Sequence, residues 1–416
     1  MVDVKKSNLG TKNIIPWIVF IFSIGIVLIS FITVIFPALI VASDTVIIPE
    51  VKSITPNPFE TGVWSVGVVS SSVIIFSLLV LHYKKKIPIL SKLFGKIFSF
   101  EISNKVSLII MIIILIIYIS ATAGELTLQE NLKDYVEIKK RIDVWTIDSM
   151  YTFEPHVRYF LLSSSMFLFG NYKVIPFLAS IALLITTYLI TTKITQKRFA
   201  GIVSTIIVLQ SSVFLTYDTT VSYTNFWILF YLLSLYAAYK FWPLSPLSYF
   251  LSIPSKALTV AFLPMSIYFI LRSNITRKKK LIIVSITLGI ILAGGIASTQ
   301  MNTTRGIGEL LSFDVKDFHM AFASFAYQLR LDGLVMLFMI PLMVGLFIVS
   351  KNGIKHGESM MVFISGIMLI SPILAGFTTQ TNQPYRFVSL IVFFAIGVGV
   401  LLSKRDLNWK QDSKKY

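Results

Sequence analysis

Residues 154–170 read EPHVRYFLLSSSMFLFG, and the placement of this segment decides the fold. Its apolar run after His156 is about 14 residues, against the roughly 20 that a helix needs to cross a bilayer. If the segment did cross, every later segment would change sides. The Lys/Arg clusters that follow would then lie outside, against the tendency of cytoplasmic loops to hold them. The segment is therefore predicted to be a helix lying in the outer membrane interface.

Working outward, the rest of the chain is built for lipid. Hydrophobic residues make up 55% of the 416 residues and charged ones 14%, with a mean hydropathy of +0.79. A soluble chain of this length has no interior large enough for that much apolar surface. The apolar runs are continuous rather than alternating, which excludes a β-barrel. The expected fold is an all-α polytopic membrane protein. Single spans are predicted near 14–43, 63–83, 105–123, 172–192, 199–215, 224–239, 281–298, 333–350, 359–377 and 387–403. Segment 244–272, broken by Pro246, Pro254 and Pro264, supplies two shorter helices that meet at Pro254-Ser255-Lys256, so about twelve spans are expected.

Charge tests the count. With the N-terminus inside, the predicted inside segments hold 25 of the 37 Lys/Arg residues and five of the 20 acids. Lys84-Lys85-Lys86 and Arg277-Lys278-Lys279-Lys280 all fall inside. Both termini are therefore expected in the cytoplasm of a cell-membrane protein. The net charge of +17 reads as a topology signal with membrane lipid headgroups as partner, and nucleic acid is not expected. The first apolar run follows Lys5, Lys6 and Lys12. It is too long for a signal-peptide core and reads as a retained span.

Several chemistries are excluded. With no cysteine, there is no thiol catalysis, disulfide or Cys-ligated metal. His82, His156, His319 and His356 are scattered without metal-ligand spacing, though a divalent cation requirement stays open. No glycine-rich phosphate loop appears, so an ATP-driven pump is not expected.

Two predicted outer loops, about 124–171 and 299–332, exceed a simple connection, and long loops in compact proteins are usually functional. In the first, Ser120–Tyr159 carries seven acids and five Lys/Arg residues between apolar neighbours. The acids near its start are Glu125, Glu130 and Asp134. Glu125 stands at a helix end, where burial would raise its pKa. If 129–141 is helical, Glu130 and Asp134 share a face. Asp143, Asp148 and Glu154 are weaker candidates. Asp218 lies in the short polar loop LTYDTTVSYTN, residues 215–225, where capping of the following helix is its alternative role. Asn302-Thr303-Thr304 forms a glycosylation sequon on the expected outer side.

The order of these features resembles the GT-C superfamily of membrane glycosyltransferases, especially the protein-O-mannosyltransferase and lipid A aminoarabinose transferase type. An apolar helix leads into an acidic outer loop with QENLKDY (Gln129–Tyr135). Then come the interfacial segment beginning EPHVRYFLL (Glu154–Leu162), a span, the basic turn KITQKRFAG, a second span and a short polar outer loop. Further on, LSIPSKALTVAFLP resembles the family's small-residue-then-Lys element and places Lys256. QPYRFVSLIVFF resembles an Arg-aromatic span start and places Arg386. The likeness lies in layout. Glu-Pro-His stands where the family has His-Pro-Pro, and the family's Asp-Glu pair is absent as such. It divides the chain into two spans and a basic linker (1–100), a GT-C-like module with an interfacial helical layer (101–403) and a basic tail (404–416).

The resemblance implies transfer of a sugar from a polyprenyl-phosphate carrier to a lipid, glycan or protein acceptor at the outer face. It implies a first-loop carboxylate, Glu130, Asp134 or Glu125, as base. Lys256 and Arg386 are implied at the carrier phosphate, with Tyr135, His156, Arg158 and Asp218 as further substrate contacts. The chemistry needs no more than this. The departing phosphate is already anionic and asks only for nearby positive charge, while the acceptor hydroxyl needs a base. Two other classes stand beside it. One is a transporter or flippase, which asks for a repeat and charge at the midplane. The other is a non-catalytic assembly protein on the same scaffold.

Overall fold

The computed structural model describes residues 14–38, 57, 59–84, 88–146, 155–300, 313–378 and 384–403, and every regular element among them is helical, with no strand. Six helices among the described residues are long and apolar enough to cross a membrane, and four shorter apolar helices accompany them. This is the architecture of an α-helical membrane protein.

The first helix, α1 (Ile15–Ile35), begins with Pro16 in its first turn, where a missing N–H costs nothing, and ends just before Phe36-Pro37. It is therefore shorter than the expected 14–43. Next come α2 (Ser65–Tyr83) and α3 (Pro88–Ser99). Ser103 caps α4 (Asn104–Thr122) by accepting the Val106 N–H at 3.3 Å. A 3₁₀ turn, Ala123–Thr127, carries the chain past the end of α4 and holds Glu125.

Helix α5 (Lys133–Asp143) starts later than expected. Glu130 lies before it, outside any helix, so Glu130 and Asp134 do not share a helical face. Helix α6 (His156–Phe169) follows Pro155 and stops at Gly170, whose φ of 65° is the left-handed C-terminal stop that glycine adopts without strain. At 1.5 Å per residue α6 is roughly 21 Å long, short of the ~30 Å hydrocarbon core. Tyr159, Leu162 and Ser165 face the protein, while Phe160, Phe167 and Leu168 are exposed.

Two antiparallel helices follow, α7 (Val174–Thr195) and α8 (Arg198–Leu209), joined by a turn with Gln196 at φ 57°. Their close approach requires Gly201, where a Cβ would stand 2.8 Å from the Tyr188 carbonyl. The expected span 199–215 is broken. Ser211 caps a separate short helix, α9 (Ser212–Tyr217), by accepting the Phe214 N–H at 3.2 Å. Then come α10 (Phe226–Lys240) and α11 (Leu244–Ser252). A 3₁₀ turn (Ala257–Phe262) continues into α12 (Leu263–Arg272). The 244–272 segment is thus interrupted at residues 253–256, where its prolines and Lys256 were expected to break it. The chain closes with α13 (Arg277–Gln300), α14 (Val315–Tyr327), α15 (Gly333–Lys351), α16 (His356–Thr378), a 3₁₀ turn at Pro384–Arg386 and α17 (Phe387–Leu401).

Helix α17 is the hub. It is apolar all round, which marks a helix enclosed by others, and Phe387–Gly397 is buried without interruption. It packs on α7, α8, α15 and α16. Phe393 stacks on Phe363 of α16, with ring centroids 4.0 Å apart. The two N-terminal spans are built into this bundle. Val27, Phe31 and Val34 of α1 join the common core, Ser23 meets Ser365 of α16 at 3.0 Å, and Ser71 of α2 donates to the Leu337 carbonyl of α15. On α4, by contrast, Leu108, Ile109, Ile112, Ile113, Ile116 and Ile117 are exposed, an apolar face suited to acyl chains.

Candidate functional site

The residues singled out in the sequence meet at one place, and the loop Asp218–Asn225 joins them. Its backbone carries most of the joinery. The Val221 and Ser222 amides donate to the two carboxylate oxygens of Glu130 at 2.8 and 3.1 Å. The carbonyls of the same two residues accept from Arg158 Nη2, at 2.9 Å for Val221. Acid and guanidinium thus grip opposite edges of one dipeptide. Thr219 donates to Glu125 at 3.2 Å, and the Tyr223 hydroxyl donates to Asp134 at 2.6 Å.

The first-loop acids are therefore not equivalent. Glu130 is half-buried and both its oxygens are held by amides. Asp134 is exposed and tied to Tyr223. Glu125, in the 3₁₀ turn at the end of α4, is exposed, and Thr219 is its side-chain contact. Asp143 accepts from Tyr172 at 3.0 Å. Asp148, Glu154, the Asn302 sequon, His82 and the tail lie outside the described residues or their side chains.

The cations come from three elements. Arg158 projects from the first turn of α6, Lys256 stands at the break after α11, and Arg386 begins α17. The ammonium of Lys256 lies 3.7 Å from the Tyr385 ring centroid and donates to the Tyr385 hydroxyl. Arg386 reaches the same hydroxyl. Arg158 and Arg386 are both near enough to repel Lys256, and Glu130 is the carboxylate felt by Arg158. The Arg158 Nε is buried without a hydrogen-bond partner. Burial lowers the Arg158 pKa against the opposing pull of Tyr159, Tyr385, Glu130 and Tyr223. Three cations thus gather around the Tyr385 hydroxyl, and buried positive charge favours an anion close by.

Tyr385 and Tyr223 carry much of the site and were not singled out from the sequence. Their rings stack at 4.2 Å with planes 13° apart, linking the Lys256 side to the Asp134 side. The one signal for Tyr385 was its position next to Arg386. Two further expected contacts lie on α5 and α6. Tyr135 is half-buried, and burial with the nearby Glu130 charge raises its pKa. The His156 Nδ1 accepts from Trp145 Nε1 at 3.2 Å, pinning the start of α6 to the end of α5.

Asp218 does not cap α10. It closes α9, is 1% exposed, and accepts from the Tyr118 hydroxyl at 2.6 Å. Burial pushes its carboxyl from 3.8 up to about 7, with the Tyr118 hydrogen bond pulling down and the Glu125 charge pushing up. The folded state therefore holds this proton more tightly than the unfolded chain does. The stability it contributes is complete below the unfolded value and is lost as pH rises from about 4 through about 7. Asp218→Asn keeps an acceptor for Tyr118 and removes the titration. Its melting temperature is expected to change less between about pH 5 and pH 8 than that of the wild type. Parallel wild-type and variant curves in a detergent thermal-shift series would show that Asp218 is already ionised in the fold.

Among the described residues no three His, Asp or Glu side chains come together as metal ligands. No protein-family model, curated protein or solved structure matches the chain.

Proposed function

We propose that this chain is a GT-C-like membrane glycosyltransferase of about twelve spans. Both termini are cytoplasmic, and it moves a sugar from a polyprenyl-phosphate carrier to a lipid, glycan or protein acceptor at the outer face of the cell membrane. The observation that carries the reading is the gathering of Arg158, Lys256 and Arg386 around Tyr385, beside a carboxylate-pinned loop. A lipid-linked phosphate answers that excess of positive charge, and an interfacial position matches where a lipid presents its headgroup.

In the proposed reaction Glu125 takes the proton of the acceptor hydroxyl. The acceptor oxygen forms its bond to the anomeric carbon from the face opposite the phosphate. The carbon–oxygen bond to the carrier breaks with its electron pair on phosphate, and configuration inverts. The polyprenyl phosphate leaves with its charge held by the cations, which act where negative charge develops. Glu130 and Asp134 serve by positioning, because their oxygens already hold the 221–223 loop. A transporter needs ionisable groups at the midplane. Here the candidate groups come from turns and helix starts: Glu125 from the 3₁₀ turn, Arg158 from the first turn of α6 and Arg386 from the start of α17.

The test is the purified chain in sealed liposomes with radiolabelled polyprenyl-phosphate sugars in the bilayer. The expected result is label transferred to acceptor on the side opposite the termini. Failure of every carrier sugar to bind, with the protein folded, would remove the reading.

A further inference from the structure

The 3₁₀ turn and α12 together form a rod from residue 257 to 272, roughly 27 Å long at ordinary helical rises. Lys256 stands at one end and Arg272 at the other, where a second charged cluster is built. Glu358, 1% exposed, is at its centre. It receives Arg272 Nη2 at 2.6 Å, the Tyr268 hydroxyl at 2.9 Å and the Ser350 hydroxyl at 3.1 Å. The one carboxylate in the group is fully committed to these partners. The Arg272 Nε is nevertheless buried without a hydrogen bond.

Three more cations surround the pair. Lys280 turns back to donate to the Leu271 carbonyl at 2.7 Å. Burial lowers its pKa, and Lys355, Arg272 and Arg277 push it in the same direction. His356, packed against Tyr239 and Phe269, also lies beside Arg272 and Lys355 and adds no negative charge. Four cations therefore face one neutralised acid. Next to Arg272 and Lys280 in the chain, Leu271, Leu281 and Ile282 are exposed, at 51%, 64% and 41%. Positive charge at the bundle end with an apolar wall beside it has the polarity of a phospholipid.

We propose that the cluster of Arg272, Arg277, Lys280 and Lys355 binds the phosphate headgroup of an anionic phospholipid, with its chains along Leu271, Leu281 and Ile282. Basic pockets between membrane helices recognise such headgroups through charge and hydrogen bonds together. Free phosphate offers the same charge and leaves the apolar wall bare. The site is distinct from the Tyr385 cluster and does not depend on glycosyl transfer.

The experiment uses the full chain in a neutral detergent, titrated with phosphatidylglycerol and followed by native mass spectrometry and thermal shift. Lys280→Gln with Lys355→Gln is expected to weaken lipid binding at least about tenfold, the size of a lost charge-assisted contact. Lys278→Gln with Lys279→Gln is the control. It removes the same charge from two exposed lysines of the same turn and should leave binding unchanged. Equal loss in both pairs means diffuse charge attraction and overturns the site, as does undiminished binding in the first pair. Inorganic phosphate that binds as well as the lipid overturns the phospholipid assignment, and phosphatidylcholine that binds equally overturns the role of net charge.

Discussion

Glu125→Gln is expected to cut sugar transfer at least about 100-fold while carrier binding persists, the range for removing a general base. The amide keeps the shape of the side chain and its contact with Thr219 and cannot take a proton. Its neighbours should behave differently. In Glu130→Gln one oxygen becomes an NH2 that faces a backbone amide, so the grip on Val221-Ser222 is broken. Because Arg158 holds the same dipeptide, carrier binding should fall together with turnover. A near wild-type rate for Glu125→Gln, with Asp134→Asn or Glu130→Gln reduced at intact binding, would move the base to that residue. If all three variants stay near the wild-type rate, no first-loop carboxylate is the base.

The second large effect belongs to the cations. Arg386→Ala and Lys256→Met are each expected to weaken binding of a polyprenyl-phosphate sugar by roughly 2–5 kcal/mol, the cost of truncating one partner of a buried charge pair. Arg386→Lys should also lose transfer, because the guanidinium fork can hold two phosphate oxygens at once. The same variants distinguish function from architecture. Lys256 is repelled by Arg386 and Arg158 in the carrier-free protein, so Lys256→Met should leave the carrier-free melting temperature unchanged or higher. A sharp drop in that temperature with carrier affinity retained would mean that the lysine serves the fold, through Tyr385 and Trp227. It would also mean that the carrier phosphate sits elsewhere.

Much of this was legible in the sequence, for identifiable reasons. Six of the expected spans announced themselves as apolar runs, and α6 by its shortness. Lys256 and Arg386 stood out through LSIPSKALTVAFLP and QPYRFVSLIVFF, which resemble elements of the GT-C layout. What stayed hidden depended on partners distant in the chain. The break at Gln210-Ser211 is a cap in the middle of an apolar stretch, invisible to hydropathy. Helix α5 begins at Lys133 because Glu130 is drawn away by amides 91 residues along the chain. Tyr385 and Tyr223 were two of 17 tyrosines, and no local pattern marked their stacking. Glu358 carries no local mark of its pairing with Arg272, 86 residues earlier in the chain.

The contact between Ser23 and Ser365 also bears on how the protein is made. The first helix leaves the ribosome 342 residues ahead of its partner. At 5–20 residues per second that interval is roughly 20–70 s. For that time α1 has to wait in lipid with its protein-facing side uncovered. Its sequence is suited to the wait. The Ser30 and Thr33 hydroxyls bond to carbonyls of their own helix, which leaves Ser23 as the hydroxyl whose partner comes later. Assembly of the bundle is thus completed from its last helices back onto its first, and a chain truncated before α16 would insert its early spans and leave α1 unclaimed.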